Sequence, residues 1–470
     1  MTTLHASPHC KSLTAMSSLR RELGKVAGLS GPVVLVQLGL MMIGVVDTLM
    51  LSRLGVAELA ASALANSWQW TFMSMGLGLV MGIDPLISQA HGRGDGPGAA
   101  LAMQRGVVLG LLISLPICVS MALTRQGLLM LGQEPHIAEL AGRYNVLKLP
   151  TIPCFLVYSA LRQYLQGRTL MAPATWVMWI GNALHVFLNW GLIFGRAGLP
   201  ALRMDGAAIA STITTLFLVV ALALWVRFFR LHEGAWRPWD RAALALSGLL
   251  QAARLGLPVG LTMSLEAGAF SISTWMAGWL GREALASHQI VLNMAALAFM
   301  VPLGVSQGGS VRVGNLIGLG DIPGMRRAVQ ASLLLGGGVM VLSAVTFTLL
   351  RVELPGLYTD DAPVVLLAAQ IFPLAAAFQL SDGIQVVAGG VLRGMGRPDA
   401  AALVNLVGYY AVALPVGYAL GFVWQLGLVG IWVSLAAGLT VVALSLLVWV
   451  SRTMRGPLRP LAVRAEPAGI

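Results

Sequence analysis

The sequence predicts an all-α polytopic membrane protein with twelve transmembrane helices in two pseudo-symmetric six-helix bundles. The first observation is composition, since 57% of the 470 residues are hydrophobic and only 10% are charged. A soluble chain of this length could not cover so much apolar surface, so an integral membrane protein is expected. The second observation is a series of twelve apolar runs of about 20 residues, the length that crosses a bilayer.

The third observation is an internal repeat. When Met50–Asp95 is shifted by 226 positions it aligns with Met276–Asp321 without a gap, and a second match, shifted by 227, places Gly167 on Gly394. Each copy holds six apolar runs, so the copies are predicted to be parallel bundles related by an axis along the membrane normal. Tandem copies of one helical bundle are typical of transporters.

The twelve predicted spans follow the chain in order, six in each repeat. They cover residues 29–52, 60–90, 99–123, 138–161, 171–195, 205–226, 252–280, 286–311, 328–350, 363–392, 400–424 and 426–451. Glycines four positions apart, such as Gly78 with Gly82 and Gly256 with Gly260, predict close approach of helix backbones within the membrane.

The distribution of basic residues predicts the orientation. An even number of spans puts both termini on one side, and 22 of the 30 Lys and Arg fall in segments assigned to that side. By the positive-inside rule this side is the cytoplasm. The predicted parts are a cytoplasmic N-terminal tail (1–28), an N-lobe with helices 1–6 (29–235), a cytoplasmic linker (236–252), a C-lobe with helices 7–12 (253–452) and a cytoplasmic C-terminal tail (453–470).

Several classes of function are excluded by the same composition. The net charge of +11 comes from short clusters between apolar runs, with no basic face for nucleic acid. The three cysteines are too few and too scattered for a disulfide framework or a metal site. No nucleotide-binding loop or hydrolase motif occurs. The sequence therefore predicts a protein that is not an enzyme and that needs no cofactor.

Acidic side chains inside the spans are the first candidate site residues. The four that lie away from the ends of the predicted spans are Asp47, Asp84, Glu266 and Asp382. A charge at the centre of a membrane helix costs about 2.5–3.5 kcal/mol, so such residues usually face a cavity or a partner. Glu266 and Asp382 lie at equal distances from the inner face, 12 residues after Arg254 and 11 before Arg393. They are predicted to share a proton or a cation, the alternative being two acids satisfied separately by hydroxyl or amide groups.

A second candidate group lies near the outer face of the first lobe. Asp47 precedes the outer marker Arg53 by six residues, and Asn189 lies at a similar depth in span five. His185 is one helical turn from Asn189, and Asn182 lies one turn before His185, so these side chains are predicted to form one polar cluster. His185 then acts as a proton carrier or only bonds across a helix interface.

Two further residues have competing interpretations. Asp84 precedes Pro85, and a structural role in satisfying backbone groups freed by the proline is favoured over function. Trp68 could stack on a flat organic cation, or it could anchor the helix at the membrane interface.

These residues occur in motifs that resemble the multidrug and toxic compound extrusion (MATE) family, in its NorM-like bacterial branch. The resemblance covers about residues 30–449. The motifs are VDTLM at 46–50, DPLISQAHG at 84–92, LGLP at 255–258 ahead of Glu266, ASHQI at 286–290, and SDGIQ at 381–385 running to LRG at 392–394. They follow one another in the order and spacing of that family.

The resemblance implies two helical bundles that open alternately to each side and exchange drugs for H⁺ or Na⁺. It implies that Glu266 and Asp382 form the second-lobe cation site, holding a metal ion if Na⁺ is the coupling ion, and that Asp47 belongs to a proton or drug site. Gln289 and Gln385, within the family motifs, are candidate substrate-binding residues together with Asp47 and Trp68. The family's fifth span usually carries Asn-x-x-x-Asn or Asn-x-x-x-Asp. Here His185 replaces the first amide, which disfavours a metal ion in this lobe and is compatible with proton chemistry.

We therefore expect a secondary active multidrug antiporter of the bacterial cytoplasmic (inner) membrane that exports amphipathic organic cations, such as drugs or dyes, in exchange for H⁺ or Na⁺. Its partners would be these compounds and membrane lipids, with the single chain as transport unit. This expectation rests on buried acids without a buried basic counterpart. The alternative is a flippase for lipid-linked sugars or other amphiphiles, which would need buried Lys or Arg. A polytopic membrane enzyme, which would need a metal cluster or a nucleophile and base, is disfavoured.

Overall fold

The computed structural model describes residues 8–463, which are helical and contain no β-strand. The predicted tails 1–28 and 453–470 extend beyond this part, because residues 1–7 and 464–470 lie outside the described residues. Up to the linker the helices are α1 (Pro8–Leu51), α2 (Val56–Met81), α3 (Asp84–Gly92), α4 (Gly96–Ala122), α5 (Thr124–Met130), α6 (Pro135–Leu147), α7 (Thr151–Gly167), α8 (Ala172–Phe194) and α9 (Met204–Phe228).

The second half of the chain is built in the same way. Its helices are α10 (Leu246–Trp279), α11 (Arg282–Gly318), α12 (Ile322–Leu349), α13 (Glu353–Gly356), α14 (Ala362–Gly394), α15 (Asp399–Asn405), α16 (Leu414–Tyr418) and α17 (Gly427–Arg455). π-helical turns at Leu406–Ala413 and Ala419–Val423 continue the span that contains α15 and α16.

The chain divides into two compact units. The N-unit contains residues 35–267 together with 461–463, and the C-unit contains residues 8–34 together with 268–460. The first part of α1 therefore belongs to the C-unit, and the first part of α10 belongs to the N-unit. The lobe, linker and tail boundaries that the sequence suggests stay a prediction.

Eleven helices among residues 8–463 are long and apolar enough to cross a membrane. They correspond to every predicted span except the fourth, 138–161, where α6 and α7 are separated by a turn at 148–150. Pro150 has no N–H to continue the helical hydrogen bonds, and its ring disfavours helical geometry at the preceding residue. If this interrupted pair counts as one span, the total is the predicted twelve.

Each unit has an apolar core of its own. In the N-unit, Ile83 and Leu86 pack with Leu156 of α7 in the core, and all three are fully buried. In the C-unit, Phe372 of α14 and Trp432 of α17 are likewise fully buried. These cores hold the helices that carry the polar groups described below.

Within the N-unit, α2 crosses the first part of α10 at backbone contact distance. A Cβ atom on Gly78 would lie 2.2 Å from the Gly260 Cα, and one on Gly82 would lie 2.4 Å from the Gly256 nitrogen. A Cβ atom on Gly256 would lie 2.1 Å from the Leu79 carbonyl oxygen. The helices can approach this closely only because these positions have no side chain.

The equivalent crossing occurs within the C-unit, between α11 and the first part of α1. A Cβ atom on Gly304 would lie 2.9 Å from the Val34 nitrogen, and one on Gly308 would lie 3.0 Å from the Ser30 nitrogen. Gly304 and Gly308 follow the two α2 glycines by 226 positions, the shift of the internal repeat. The repeat therefore preserves a helix crossing as well as a sequence pattern.

The linker between α9 and α10 is held against N-unit helices. Gln104 Nε2 of α4 donates to the carbonyl of Arg237 at 2.8 Å, and Arg105 Nη2 donates to the carbonyl of Ala242 at 3.1 Å. The long side chains of Gln104 and Arg105 on α4 thus donate hydrogen bonds to backbone carbonyls of the linker.

The last described residues form a strap on the N-unit. The Leu461 N–H donates to Gln89 Oε1 at 2.7 Å, and Gln251 Nε2 donates to the carbonyl of Ala462 at 2.8 Å. Gln89 is in α3 and Gln251 is in α10, so the strap connects two helices that are distant in sequence.

Replacing Gly256 by Ala tests the helix crossing. The new methyl group would meet the carbonyl oxygen of Leu79, a backbone atom that cannot rotate away, so we expect a loss of about 1–3 kcal/mol in folding free energy. The measurement is the melting temperature of purified protein in detergent. Gly338→Ala in α12 is the matched control, because no atom lies within 4 Å of its added Cβ. Equal melting temperatures for the two variants would contradict the tight crossing.

Candidate functional site

The Asp47 carboxylate is surrounded by donors within the N-unit. Asp47 lies one turn before the end of α1 and is 5% exposed. Its Oδ1 accepts hydrogen bonds from Asn189 Nδ2 at 2.6 Å and from His185 Nε2 at 2.9 Å, and its Oδ2 accepts from Ser211 Oγ at 3.3 Å. The donors come from α8 and α9. Such bonds favour the ionised carboxylate, which has only acceptor capacity.

His185 is positioned to gain a proton without losing a partner. Its ring is fully buried, and its Nδ1 lies 3.1 Å from the Thr214 hydroxyl. In the neutral ring, Nε2–H donates to Asp47 and Nδ1 accepts from Thr214. When Nδ1 is also protonated, the Thr214 hydroxyl can rotate to accept. Both ring nitrogens of His185 therefore have a hydrogen-bond partner whether the ring is neutral or charged.

Local helix geometry explains which predicted residues meet. His185 and Asn189 are four residues apart on α8 and share one face. Asn182 lies on the preceding turn, but its Nδ2 donates to the Met178 carbonyl at 3.0 Å. The structure therefore brings Asp47, His185 and Asn189 together, and it places Asn182 beside them as a residue bonded to its own helix.

Two buried residues beside this cluster were not predicted from the sequence. Lys148 Nζ donates to Asn66 Oδ1 at 3.0 Å and lies 4.8 Å from the centre of the Tyr144 ring. Lys148 and Tyr144 both interact electrostatically with Asp47. The sequence feature that could have identified Lys148 is its position within the apolar run 138–161. Ser211 and Thr214 were also missed, although their spacing of three places them on one face of span six.

The expectation that the buried acids have no buried basic counterpart is wrong. The basic residues with almost no exposed surface are Arg105, Lys148, Arg162 and Arg393. A Lys or Arg can stay in these helices because internal carbonyl, amide or carboxylate oxygens replace the water it loses. The sequence prediction counted each basic residue only as a marker of a loop, so it did not include these buried cations.

Asp84 is accompanied by one of these arginines. Asp84 begins α3 and is 1% exposed, and it interacts electrostatically with Arg162 of α7. Arg162 Nη1 also donates to Gln37 Oε1 of α1 at 3.1 Å. The structural role predicted for Asp84 therefore has a partner that the sequence did not suggest. Its charge faces an arginine, whereas the prediction invoked only backbone groups freed by Pro85.

The other candidate acids lie in α10 and α14. Glu266 is half-buried, whereas Asp382 is 5% exposed. The Asp382 Oδ1 accepts a hydrogen bond from Gln385 Nε2, one turn later on α14, at 3.4 Å. Gln289 is half-buried on α11. The pairing of Glu266 with Asp382, and a metal ion between them, stay predictions.

Trp68 is held by contacts with two neighbouring helices. Its Nε1 donates to the Ser120 carbonyl at 3.0 Å, and its ring packs over Gly127 and 5.6 Å from the Phe72 ring centre. These contacts join α2 to α4 and α5. A stacking role for Trp68 with a substrate stays a prediction.

A family model described as MatE matches the chain in two segments, residues 32–191 and 258–419. The two segments begin 226 residues apart, as the internal repeat does. The chain belongs to the MATE family. It is a multi-helical membrane transporter of this family of multidrug efflux proteins.

Individual relatives agree with this assignment. The Multidrug resistance protein NorM of Burkholderia vietnamiensis is 35% identical, over 93% of this chain and 96% of the relative. Multidrug and toxin extrusion protein 2 of Mus musculus is 31% identical, over 93% of this chain and 75% of the relative. The crystal structure of the eukaryotic MATE transporter AtDTX14 superposes with a TM-score of 0.85 at 23% identity, covering 93% of this chain and 98% of that structure. That superposition shows a common fold.

Removing the charge of Arg162 tests its electrostatic interaction with Asp84 in this MATE transporter. Arg162→Met leaves the buried Asp84 carboxylate without the cation that attracts it and removes the donor to Gln37, so we expect a loss of about 1–3 kcal/mol in folding free energy and a lower melting temperature. The double variant Arg162→Met/Asp84→Asn should recover part of this loss, because no charge is then left unpaired. Equal losses in the single and double variants would argue against a direct interaction of the two side chains.

Proposed function

We propose that this MATE transporter is a secondary antiporter that exports amphipathic organic cations in exchange for protons. The observation that carries the proposal is the buried Asp47–His185 pair, bonded on both sides by Asn189, Ser211 and Thr214. A carboxylate joined to an imidazole can take up and release a proton near neutral pH. The names of the relatives, which refer to multidrug resistance and extrusion, support the substrate class.

Coupling follows from competition between the proton and the substrate. An organic cation is attracted while Asp47 is ionised and His185 is neutral. A proton that enters from outside adds one positive charge to the pair and lowers the affinity for the cation. Because the two ligands oppose each other, the proton gradient drives the export. The two six-helix lobes would provide alternating access.

Glu266 and Asp382 are each proposed as an ion-binding acid of the coupling mechanism. Asp382 is almost fully buried and bonded to Gln385, which suits a group that binds H⁺ in an apolar bundle. If Na⁺ is the coupling ion, the carboxylate oxygens of Glu266 and Asp382 are the ligand type that it prefers. Gln289 and Gln385 are proposed contacts for the substrate.

The proposed setting is the bacterial cytoplasmic membrane, with both termini in the cytoplasm and one chain as the transport unit. The basic residues of the inner segments support this orientation. The coupling ion is cargo, so no resident cofactor is proposed. Lipids are the expected surroundings of the exposed apolar side chains, including Trp176 and Trp275.

The alternative function, a flippase for lipid-linked sugars or other amphiphiles, is disfavoured on new grounds. Buried cations of the kind it would require are present, but two of the four, Lys148 and Arg162, interact electrostatically with Asp47 and Asp84. An anionic pyrophosphate would need positive charge that the protein has not already neutralised. The paired charges therefore favour an antiporter for cations.

The experiment is efflux of a fluorescent organic cation from loaded proteoliposomes, with a pH gradient or a Na⁺ gradient imposed separately. We expect the pH gradient alone to drive efflux. Efflux that requires Na⁺ would contradict proton coupling and direct attention to Glu266 and Asp382. If neither gradient moves any cation tested, the antiporter proposal fails and the flippase becomes the preferred function.

Two charge-neutral variants test the acids in the same assay. Asp47→Asn and Asp382→Asn should each lower gradient-driven efflux by about 5- to 150-fold, the range of typical coupling energies, while the protein stays folded. Asp361→Asn is the control, since Asp361 is an exposed residue that immediately precedes α14. Full efflux by either variant would remove that acid from the mechanism.

A further inference from the structure

Lys148 is a buried basic residue beside the Asp47 cluster, and the antiport proposal gives it no role. It occupies the C-terminal cap of α6, where the turn at 148–150 interrupts the fourth span. The ends of helices concentrate carbonyl groups, and a cation there is favoured by the helix dipole. The position therefore suits an ammonium group without exposing it to solvent.

The groups around the Lys148 side chain also favour a cation. Its Nζ donates to Asn66 Oδ1 at 3.0 Å, and the face of the Tyr144 ring lies 4.8 Å away. An amide oxygen accepts hydrogen bonds and an aromatic face attracts positive charge. Lys148 is 6% exposed, so little water screens its charge.

α9 connects this lysine to the proton-binding pair. Ser211 Oγ donates to Asp47, and the adjacent Thr212 hydroxyl lies 3.1 Å from the Thr151 hydroxyl and donates to the Leu147 carbonyl at 3.2 Å. Leu147 and Thr151 flank the turn that carries Lys148. The turn and the Asp47 cluster are thus held by neighbouring residues of one helix, and Lys148 attracts the Asp47 carboxylate.

Few other charges face the lysine from the elements around α6. The titratable groups of the cluster are Asp47 of α1, Tyr144 of α6 and His185 of α8, whereas α2 and α9 present neutral Asn, Ser and Thr side chains. Among the other charged or titratable side chains of these helices, Arg203–Glu58, Arg143–Asp205 and Arg125–Glu139 form ion pairs and Arg105 bonds to the linker. His136 lies in the first turn of α6 and Arg227 in the last turn of α9, both distant along the helix from the turn that carries Lys148.

We propose that Lys148 is a resident counter-cation that sets how readily the Asp47–His185 pair binds a proton. With Lys148 charged, Asp47 ionised and His185 neutral, the cluster carries no net charge. A further proton must enter against the lysine, so the pair releases it more easily. Lys148 acts through Asp47 and is a positioning residue for the charge. The proposal rests on the proposed function, because it concerns the same proton site.

Loss of the Lys148 charge should strengthen proton binding by the Asp47–His185 pair. Removal of the lysine charge leaves a net negative cluster, so the pair binds its proton at higher pH. At an effective dielectric constant of about 20, loss of one unit charge that interacts with the pair should raise the midpoint by about one pH unit. A monovalent organic cation should also bind more tightly, since it no longer competes with the resident charge.

The test is an infrared pH titration of the carboxylate and imidazole bands in the purified protein, with Asp47→Asn identifying the signals of the Asp47–His185 pair. Lys148→Gln keeps a donor for Asn66, and Lys148→Met keeps the apolar stem; both should raise the midpoint. Lys148→Arg retains the charge and should titrate like the wild type. Arg53→Met, which removes an exposed positive charge just after α1, should also leave the midpoint unchanged.

The results of this titration can be distinguished from the results of the transport assay. Unchanged midpoints in Lys148→Gln and Lys148→Met overturn the proposal, as does an equal shift in Lys148→Arg, which would indicate a packing effect. A titration that Asp47→Asn leaves wholly unchanged overturns it as well. Shifted midpoints in a protein that exports no cation would reject antiport while supporting the role of Lys148.

Discussion

Asp47 can stay ionised in an apolar bundle because the protein itself supplies its hydrogen bonds. The donors of His185, Asn189 and Ser211 replace the water that a carboxylate would otherwise require. To form these hydrogen bonds, α8 and α9 must turn the faces that carry the donors toward α1. Lys148 contributes opposite charge from the α6–α7 turn. The positions of four elements of the N-unit therefore depend on satisfying one carboxyl group.

Composition and periodicity predicted the helical architecture well, because the bilayer demands long apolar helices whatever their exact sequence. The interruption of span four was not predicted, since a count of apolar residues ignores the missing N–H of Pro150. Asp47, His185 and Asn189 were found because their depth was estimated from basic residues near the membrane surface. Lys148 was missed by the same reasoning, which treated each lysine as a marker of that surface.

The internal repeat preserves the backbone better than the chemistry. In the N-unit, α2 crosses α10 at two glycines, and in the C-unit α11 crosses the first part of α1 at the two equivalent glycines. At the shift of 226, however, the position of Asp47 is occupied by Ser273, whose hydroxyl donates to the Phe270 carbonyl at 2.9 Å. A duplicated bundle has thus kept its packing while its two halves acquired different polar groups. Sequence self-similarity consequently identified the fold but not the site.

The strap at the end of the chain has a consequence for how the protein is made. Leu461 and Ala462 bond to Gln89 and Gln251 of the N-unit, although the ribosome adds them more than 200 residues after Gln251. Residues 8–34, synthesised early, belong to the C-unit. Neither unit can reach its final form in the order of synthesis, so insertion of the helices precedes completion of both units.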